Sequence, residues 1–163
     1  LKVIFMIEGD EELKFYNILS SMLCWHKITI LEDVLCNRLD PSSNPDGTSS
    51  KAIFISKKQG KITREEENNE FVNIFRCDKK LHIGYDIDNN AQVNVLVNSD
   101  INPLNEDEVL WAFATRFQPK EDLIFDKDKV TIRLDKRKFL APLPPKEVLD
   151  KVKYSLLRDK AYL

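Results

Sequence analysis

An α/β domain is the fold class that the sequence predicts, and three observations predict it. A short apolar run, Lys2 to Ile7, precedes helical spacing of apolar residues at Phe15, Leu19, Met22 and Leu23, which together make a strand-then-helix unit. Residues 92–98 set Val93, Val95 and Val97 against Asn94, Leu96 and Asn98, the period of a strand with one buried face. Asn105 followed by Glu106, Asp107 and Glu108 is a capped, acidic helix start, and the apolar body Val109 to Thr115 comes directly after it. With 163 residues, 42% of them apolar, the chain suits one domain, 1–163, with a core of its own.

The elements follow in order. The first helix is expected to take an acidic cap from Asp10. A second short strand covers Ile28 to Leu31, and Pro, Ser, Asn and Gly then cluster over residues 40–50, the chemistry of a surface loop. Lys51 to Ser56 is a strand. Residues 57–70 carry four basic and four acidic side chains and read as a solvated hairpin or a helix start. Phe71 to Phe75, Leu81 to Tyr85 and the 92–98 run are neighbouring strands, and Asp86 to Asn90 has the turn chemistry of a hairpin between the last two. The helix 106–116 follows, then strands Asp122 to Phe125 and Val130 to Leu134 around the turn 126–129. A last helix opens at Pro144-Pro145 and runs from Lys146 to about Arg158, with a stripe of Val148, Leu149, Val152 and Leu156.

Charge and composition narrow the function. Lys and Arg number 25 against 27 Asp and Glu, a net charge of -2, so no basic field exists to hold a nucleic-acid backbone. No apolar run reaches the roughly 18 residues of a transmembrane helix, and no signal peptide is present. Three cysteines, Cys24, Cys36 and Cys77, fit free thiols in a reducing, cytoplasmic setting better than a disulfide framework. Only 4 glycines occur, and no phosphate-binding glycine motif is among them. Cys24, His26, Cys36, Cys77 and His82 lack the paired spacing of a structural zinc site. Neither histidine follows the pattern of a nucleophile elbow.

Two features of the 106–116 helix stand out. It is apolar on every face, so a cover on both sides is expected, the second from another domain or a partner chain. Arg116 lies on that apolar body. Either it ends the helix with its head in water, or it is buried against a carboxylate, a carbonyl or an anionic ligand.

The stretch from Asn98 to Asp122, with Asp100-Ile101 followed by Val109-Leu110-Trp111-Ala112-Phe113-Ala114-Thr115-Arg116 and then Pro119, resembles a segment near the C-terminus of the UbiD-type decarboxylases. The match covers about the second half of the chain. The resemblance implies an α/β domain with a mixed β-sheet flanked by helices in a three-layer αβα-like arrangement. It also implies the C-terminal domain of a larger enzyme, which agrees with a chain that opens on Leu. That enzyme is a non-oxidative carboxy-lyase acting on an aromatic acid, such as a polyprenylated hydroxybenzoate or another quinone precursor. It uses prenylated FMN and a divalent cation, both held in an upstream flavin-binding domain of the same chain. On this resemblance residues 1–163 contain no catalytic, cofactor or metal residue and are inactive in isolation. They serve homo-oligomer contacts and one wall of the substrate pocket, with Phe113 lining it and Trp111 and Arg116 in support. Residues 40–50 and 57–70 then read as insertions. The rival expectation is a stand-alone, non-catalytic interaction module that self-associates through the 109–117 helix or the final stripe.

Overall fold

The computed structural model describes residues 2–9, 14–36, 43–57, 60–135, 145–148 and 150. The expected cap at Asp10 and most of the expected C-terminal helix, 146–158, lie outside the described residues.

Nine strands form two sheets among the described residues. β1 (Val3–Ile7), β2 (His26–Leu35) and β3 (Thr48–Ser56) make the smaller sheet in the order β1-β3-β2, with β1 parallel and β2 antiparallel to β3. The larger sheet runs β4-β5-β6-β7-β9-β8, from β4 (Ile62–Glu67), β5 (Phe71–Arg76), β6 (Lys79–Gly84), β7 (Val93–Leu96), β8 (Leu123–Asp126) and β9 (Lys129–Arg133). Helices α1 (Phe15–Ser20, extended by a 3-10 turn at Ser21–Leu23), α2 (Glu106–Arg116) and α3 (Pro119–Asp122) complete the fold. The mixed sheet and accompanying helices agree with the α/β expectation. The single sheet of a three-layer arrangement is replaced by two sheets that share one core.

The larger sheet turns one face inward. Val72 and Ile74 of β5, Leu81 and Ile83 of β6, Val93 and Val95 of β7, and Val130 and Ile132 of β9 align in register on that face. The side-chain period of two places Asn73, His82, Asn94 and Thr131 in register on the opposite face.

α2 is enclosed by its own chain, which corrects the expectation of an external cover. Phe113 lies 5.7 Å from Phe5 of β1 and 5.4 Å from Phe15 of α1, and it stacks on Phe117 at 4.7 Å. Val109, Leu110 and Ala112 join the same apolar cluster as Val95 and Ile132 of the larger sheet. The smaller sheet supplies the cover. Sequence periodicity shows that a helix is buried all round, but it cannot tell which segment of the chain buries it.

Three further expectations change. β3 begins at Thr48, with Ser49 and Ser50 buried, so the end of the 40–50 segment is strand rather than loop. Residues 62–67 form the strand β4, antiparallel to β5, which selects the hairpin reading of 57–70. β6 and β7 pair in parallel and form no hairpin. The 85–92 connection must therefore carry the chain back along β6 before β7 starts. It crosses without a helix, as its hydrogen bonds show: Gln92 N–H donates to the Lys80 carbonyl, and Lys80 N–H donates to Gln92 Oε1.

Candidate functional site

The parallel strands β6, β7 and β9 end together, and the loops that leave β6 and β7 stand side by side at those ends. Crevices at the carboxyl ends of parallel strands are where open α/β sheets place their ligands. Two structures meet there: a clamped loop, 98–105, and a cavity under the 85–92 connection.

The loop is held by the far end of the helix that follows it. Arg116 donates from both terminal nitrogens to Asp100, at 3.0 Å to Oδ1 and 2.5 Å to Oδ2. Its side chain is 1% exposed, whereas that of Asp100 is 41% exposed. The guanidinium also lies 5.2 Å from the Trp111 ring centre. Of the two sequence-level readings of Arg116, the buried and paired one is correct. The hydrogen bonds from Arg116 hold the Asp100 carboxyl below the usual carboxylate range.

Other groups complete the loop. Asn105 caps α2 by accepting from the N–H groups of Asp107 and Glu108, and Glu108 Oε2 reaches back to the Asn102 N–H at 2.7 Å. Tyr16 of α1 donates to the Pro103 carbonyl at 2.5 Å, and Tyr85 donates to the Ile101 carbonyl at 3.2 Å. Burial and the acids at the start of α2 push the Tyr16 hydroxyl far above its ordinary pKa, so it stays a donor. The loop is thus rigid. The Pro103 and Ile101 carbonyls accept from side chains of α1 and the end of β6, and those of Asn98, Asn102 and Asn105 accept from backbone N–H groups.

The cavity has a volume of about 480 Å³ and is bordered by Phe71, Asn73, His82, Tyr85, Asp86 and Asp88, among others. Tyr85 belongs to both structures, since its ring borders the cavity and its hydroxyl holds the loop. His82 lies on the outer face of the sheet beneath the crossing chain, with Nε2 3.0 Å from the Asp86 carbonyl and Nδ1 2.7 Å from the Asn73 side chain. Burial pushes its pKa down, towards the neutral form. A neutral imidazole has one N–H. When Nε2–H donates to Asp86, Nδ1 must accept, and the Asn73 amide has to present its NH2 group. Asn94 closes the same network by accepting from Asp88 N–H and donating to the Asp88 carbonyl. Asp88 in turn pairs with Lys80 at 2.5 Å.

Chemically, this arrangement holds backbone in place. Both ring nitrogens of His82 are committed, and its nearest carboxylate, Asp88, is engaged by Lys80. Gly84 is required beneath it, because a Cβ there would sit 2.8 Å from His82 Nε2 and 3.1 Å from both the Glu70 carbonyl and Phe71 Cβ.

The residues named from the sequence divide between the clamp and the core. Trp111 and Arg116 come together at the clamp. Phe113 is 4% exposed and packs within the aromatic cluster. Of the soft ligands considered, Cys24 and Cys77 form a disulfide, which corrects the free-thiol expectation for two of the three cysteines. Their 53-residue separation hid this, because only folding brings the 3-10 turn after α1 to the β5–β6 turn. Cys36 is a free thiol. From the sequence His82 is weighed only as a metal ligand or catalytic base, Asn94 only as part of the β7 alternation, and Asn73 not at all. Their signal was the alternation itself, since each interrupts an apolar run at an outward position.

The family model for the 3-octaprenyl-4-hydroxybenzoate carboxy-lyase C-terminal domain matches residues 72–138. Residues 72–138 are similar to that C-terminal domain. The matched segment takes in β5 from Val72, the strands β6 to β9, the clamp and most of the cavity border, whereas the smaller sheet, α1 and β4 precede it. No curated protein and no solved structure matches the chain. Among the described residues no helix is long and apolar enough to cross a membrane.

Proposed function

We propose that this chain is the C-terminal part of a UbiD-type carboxy-lyase and completes an enzyme that decarboxylates an aromatic acid, such as a polyprenylated hydroxybenzoate or related quinone precursor. One observation carries the reading. The family match and the Arg116–Asp100 clamp fall on the same stretch, so the sequence string that resembles the family is also the one that builds a rigid loop at the strand ends.

The family's reaction uses prenylated FMN with a divalent cation. The cavity among the described residues fits neither. A flavin phosphate needs converging N–H donors or cationic side chains, whereas Glu70, Asp86 and Asp88 border the cavity. No group of three or more His, Cys, Asp or Glu side chains that could hold a metal occurs among the described residues. On the family resemblance, the reading assigns cofactor and cation to an upstream flavin-binding domain, and to this domain a supporting wall and contacts within a cytoplasmic homo-oligomer. Phe113, Trp111 and Arg116 act on the wall from behind, because their side chains are buried in this domain. They set the position of α2 and of the 98–105 loop.

The test is the natural full-length gene product, expressed with a supply of prenylated flavin and assayed for CO2 release from 4-hydroxybenzoate derivatives. Flavin-dependent release is the expected result. A full-length product that binds no flavin overturns the reading and leaves a stand-alone interaction module.

A further inference from the structure

We infer that the Cys24–Cys77 disulfide is a reducible latch that fastens the N-terminal unit to the UbiD-type domain. Cys77 lies inside the matched segment and Cys24 outside it, so this bond joins two parts of the chain with different sequence character. The Cα atoms are 5.3 Å apart, and both residues are half-buried, within reach of a small reductant.

The tether's position defines its effect. α1 is held at its start by Tyr16, whose N–H donates to Glu106 at 3.1 Å and whose hydroxyl donates to Pro103. At its other end the chain passes through Ser20 and the 3-10 turn to Cys24. There Leu19, Met22 and Leu23 are buried in the shared core, Lys57 N–H donates to the Trp25 carbonyl at 3.3 Å, and Arg76 donates to Ser20 Oγ at 3.3 Å and to the Gly60 carbonyl at 3.1 Å. Arg76 is fully buried beside Cys77. The bonds to Tyr16 and Arg76 remain when the disulfide opens, so opening loosens one end of the unit and leaves the fold in place.

Cys77 and Asp78 occupy the β5–β6 turn with φ of 52° and 57°. This left-handed pair is the backbone of a type I′ turn, a position that Asn-Gly fills more readily. The turn is held by the Arg76–Lys79 pairing of the ladder below it and by the disulfide above. Once the bond opens, the turn loses its covalent restraint and the ladder below still holds its base, which confines the change to the hairpin tip and residues 20–26.

The step balances with a dithiol. A dithiol thiolate attacks one cystine sulfur, breaks the Cys24–Cys77 bond and forms a mixed disulfide. Its second thiol then closes on the first and releases the remaining cysteine. The dithiol loses two electrons and two protons to become a cyclic disulfide, and Cys24 and Cys77 end as thiols.

The experiment uses the full chain carrying Cys36→Ser, prepared without reductant and then treated with dithiothreitol. Alkylation with peptide mass spectrometry reads the thiols, and hydrogen exchange reads residues 20–26 against residues 15–19, β6 and β7. The expected result is a bonded Cys24–Cys77 pair before treatment. After it, protection in 20–26 falls by about tenfold while residues 15–19, β6 and β7 keep theirs. A Cys24→Ser, Cys77→Ser double variant should show the loosened pattern with no reductant. The inference is overturned if both cysteines alkylate before treatment or if complete reduction leaves exchange unchanged. It is overturned equally if protection collapses across the whole sheet or the double variant fails to fold, since the bond is then a global staple.

Discussion

Arg116 closes both arms of its guanidinium on Asp100, sixteen residues earlier in the chain, so the last turn of α2 holds the loop that leads into its own first turn. The helix and its entry loop therefore move as one body. Removing the carboxylate leaves a buried cation without its principal partner, and the half-exposed position of Asp100 limits the loss. Asp100→Ala should lower stability by roughly 2–3 kcal/mol. Urea unfolding measures this, and a change below about 0.5 kcal/mol, the scatter of ordinary surface substitutions, would show that the clamp is not closed in solution.

Acid should weaken the domain in two stages. The folded pKa of His82 lies below its unfolded value, so the unfolded chain takes up the proton first, and stability declines as pH falls from about 6.5 towards the folded value. Asp100 is also depressed, and its contribution is present above the unfolded pKa and lost as pH falls through the folded one. A His82→Phe variant should lack the first stage and keep the second. Thermal unfolding from pH 7.5 to 3 checks both, and an identical first stage in the variant would remove His82 as its source.

Gly84→Ala is a local test of the cavity. The added methyl group meets His82 Nε2 at 2.8 Å, which a shift of the imidazole relieves, and the Glu70 carbonyl and Phe71 Cβ at 3.1 Å, where the neighbouring chain must give by a few tenths of an ångström. The expected cost is about 1–3 kcal/mol, with the His82 ring displaced from the Asp86 carbonyl. An unchanged His82 ring proton spectrum in the variant would contradict the packing described.

Phe113 separates packing from pocket. It touches Phe5, Phe15 and Phe117, so Phe113→Ala should cost about 3–5 kcal/mol. Phe113→Leu keeps most of the volume. In the full-length enzyme this milder variant should leave KM unchanged if the residue acts only from behind the wall, and a raised KM with normal stability would put its ring against substrate.

Much of the fold was legible because it rests on short-range patterns. Val93, Val95 and Val97 announced β7, Asn105 with its three acids announced α2, and the 126–129 turn announced the β8–β9 hairpin. Each signal is written within a few residues, where side-chain period and backbone capping act. The clamp was half legible. A guanidinium on an apolar helix demanded a partner, but Asp100 was one acid among 27 Asp and Glu.

What the residues settled alone was the kind of each segment: strand or helix, capped or not, buried on one face or on all. The partners were settled by the folded chain. Whether β6 and β7 run parallel depends on the path of the 85–92 connection, and the cover over Phe113 depends on a sheet more than fifty residues away in sequence. The Cys24–Cys77 bond depends on two turns meeting. Local pattern cannot carry these outcomes, because burial rewards any apolar neighbour equally and only the closed core, with its shared register and its satisfied backbone, selects one.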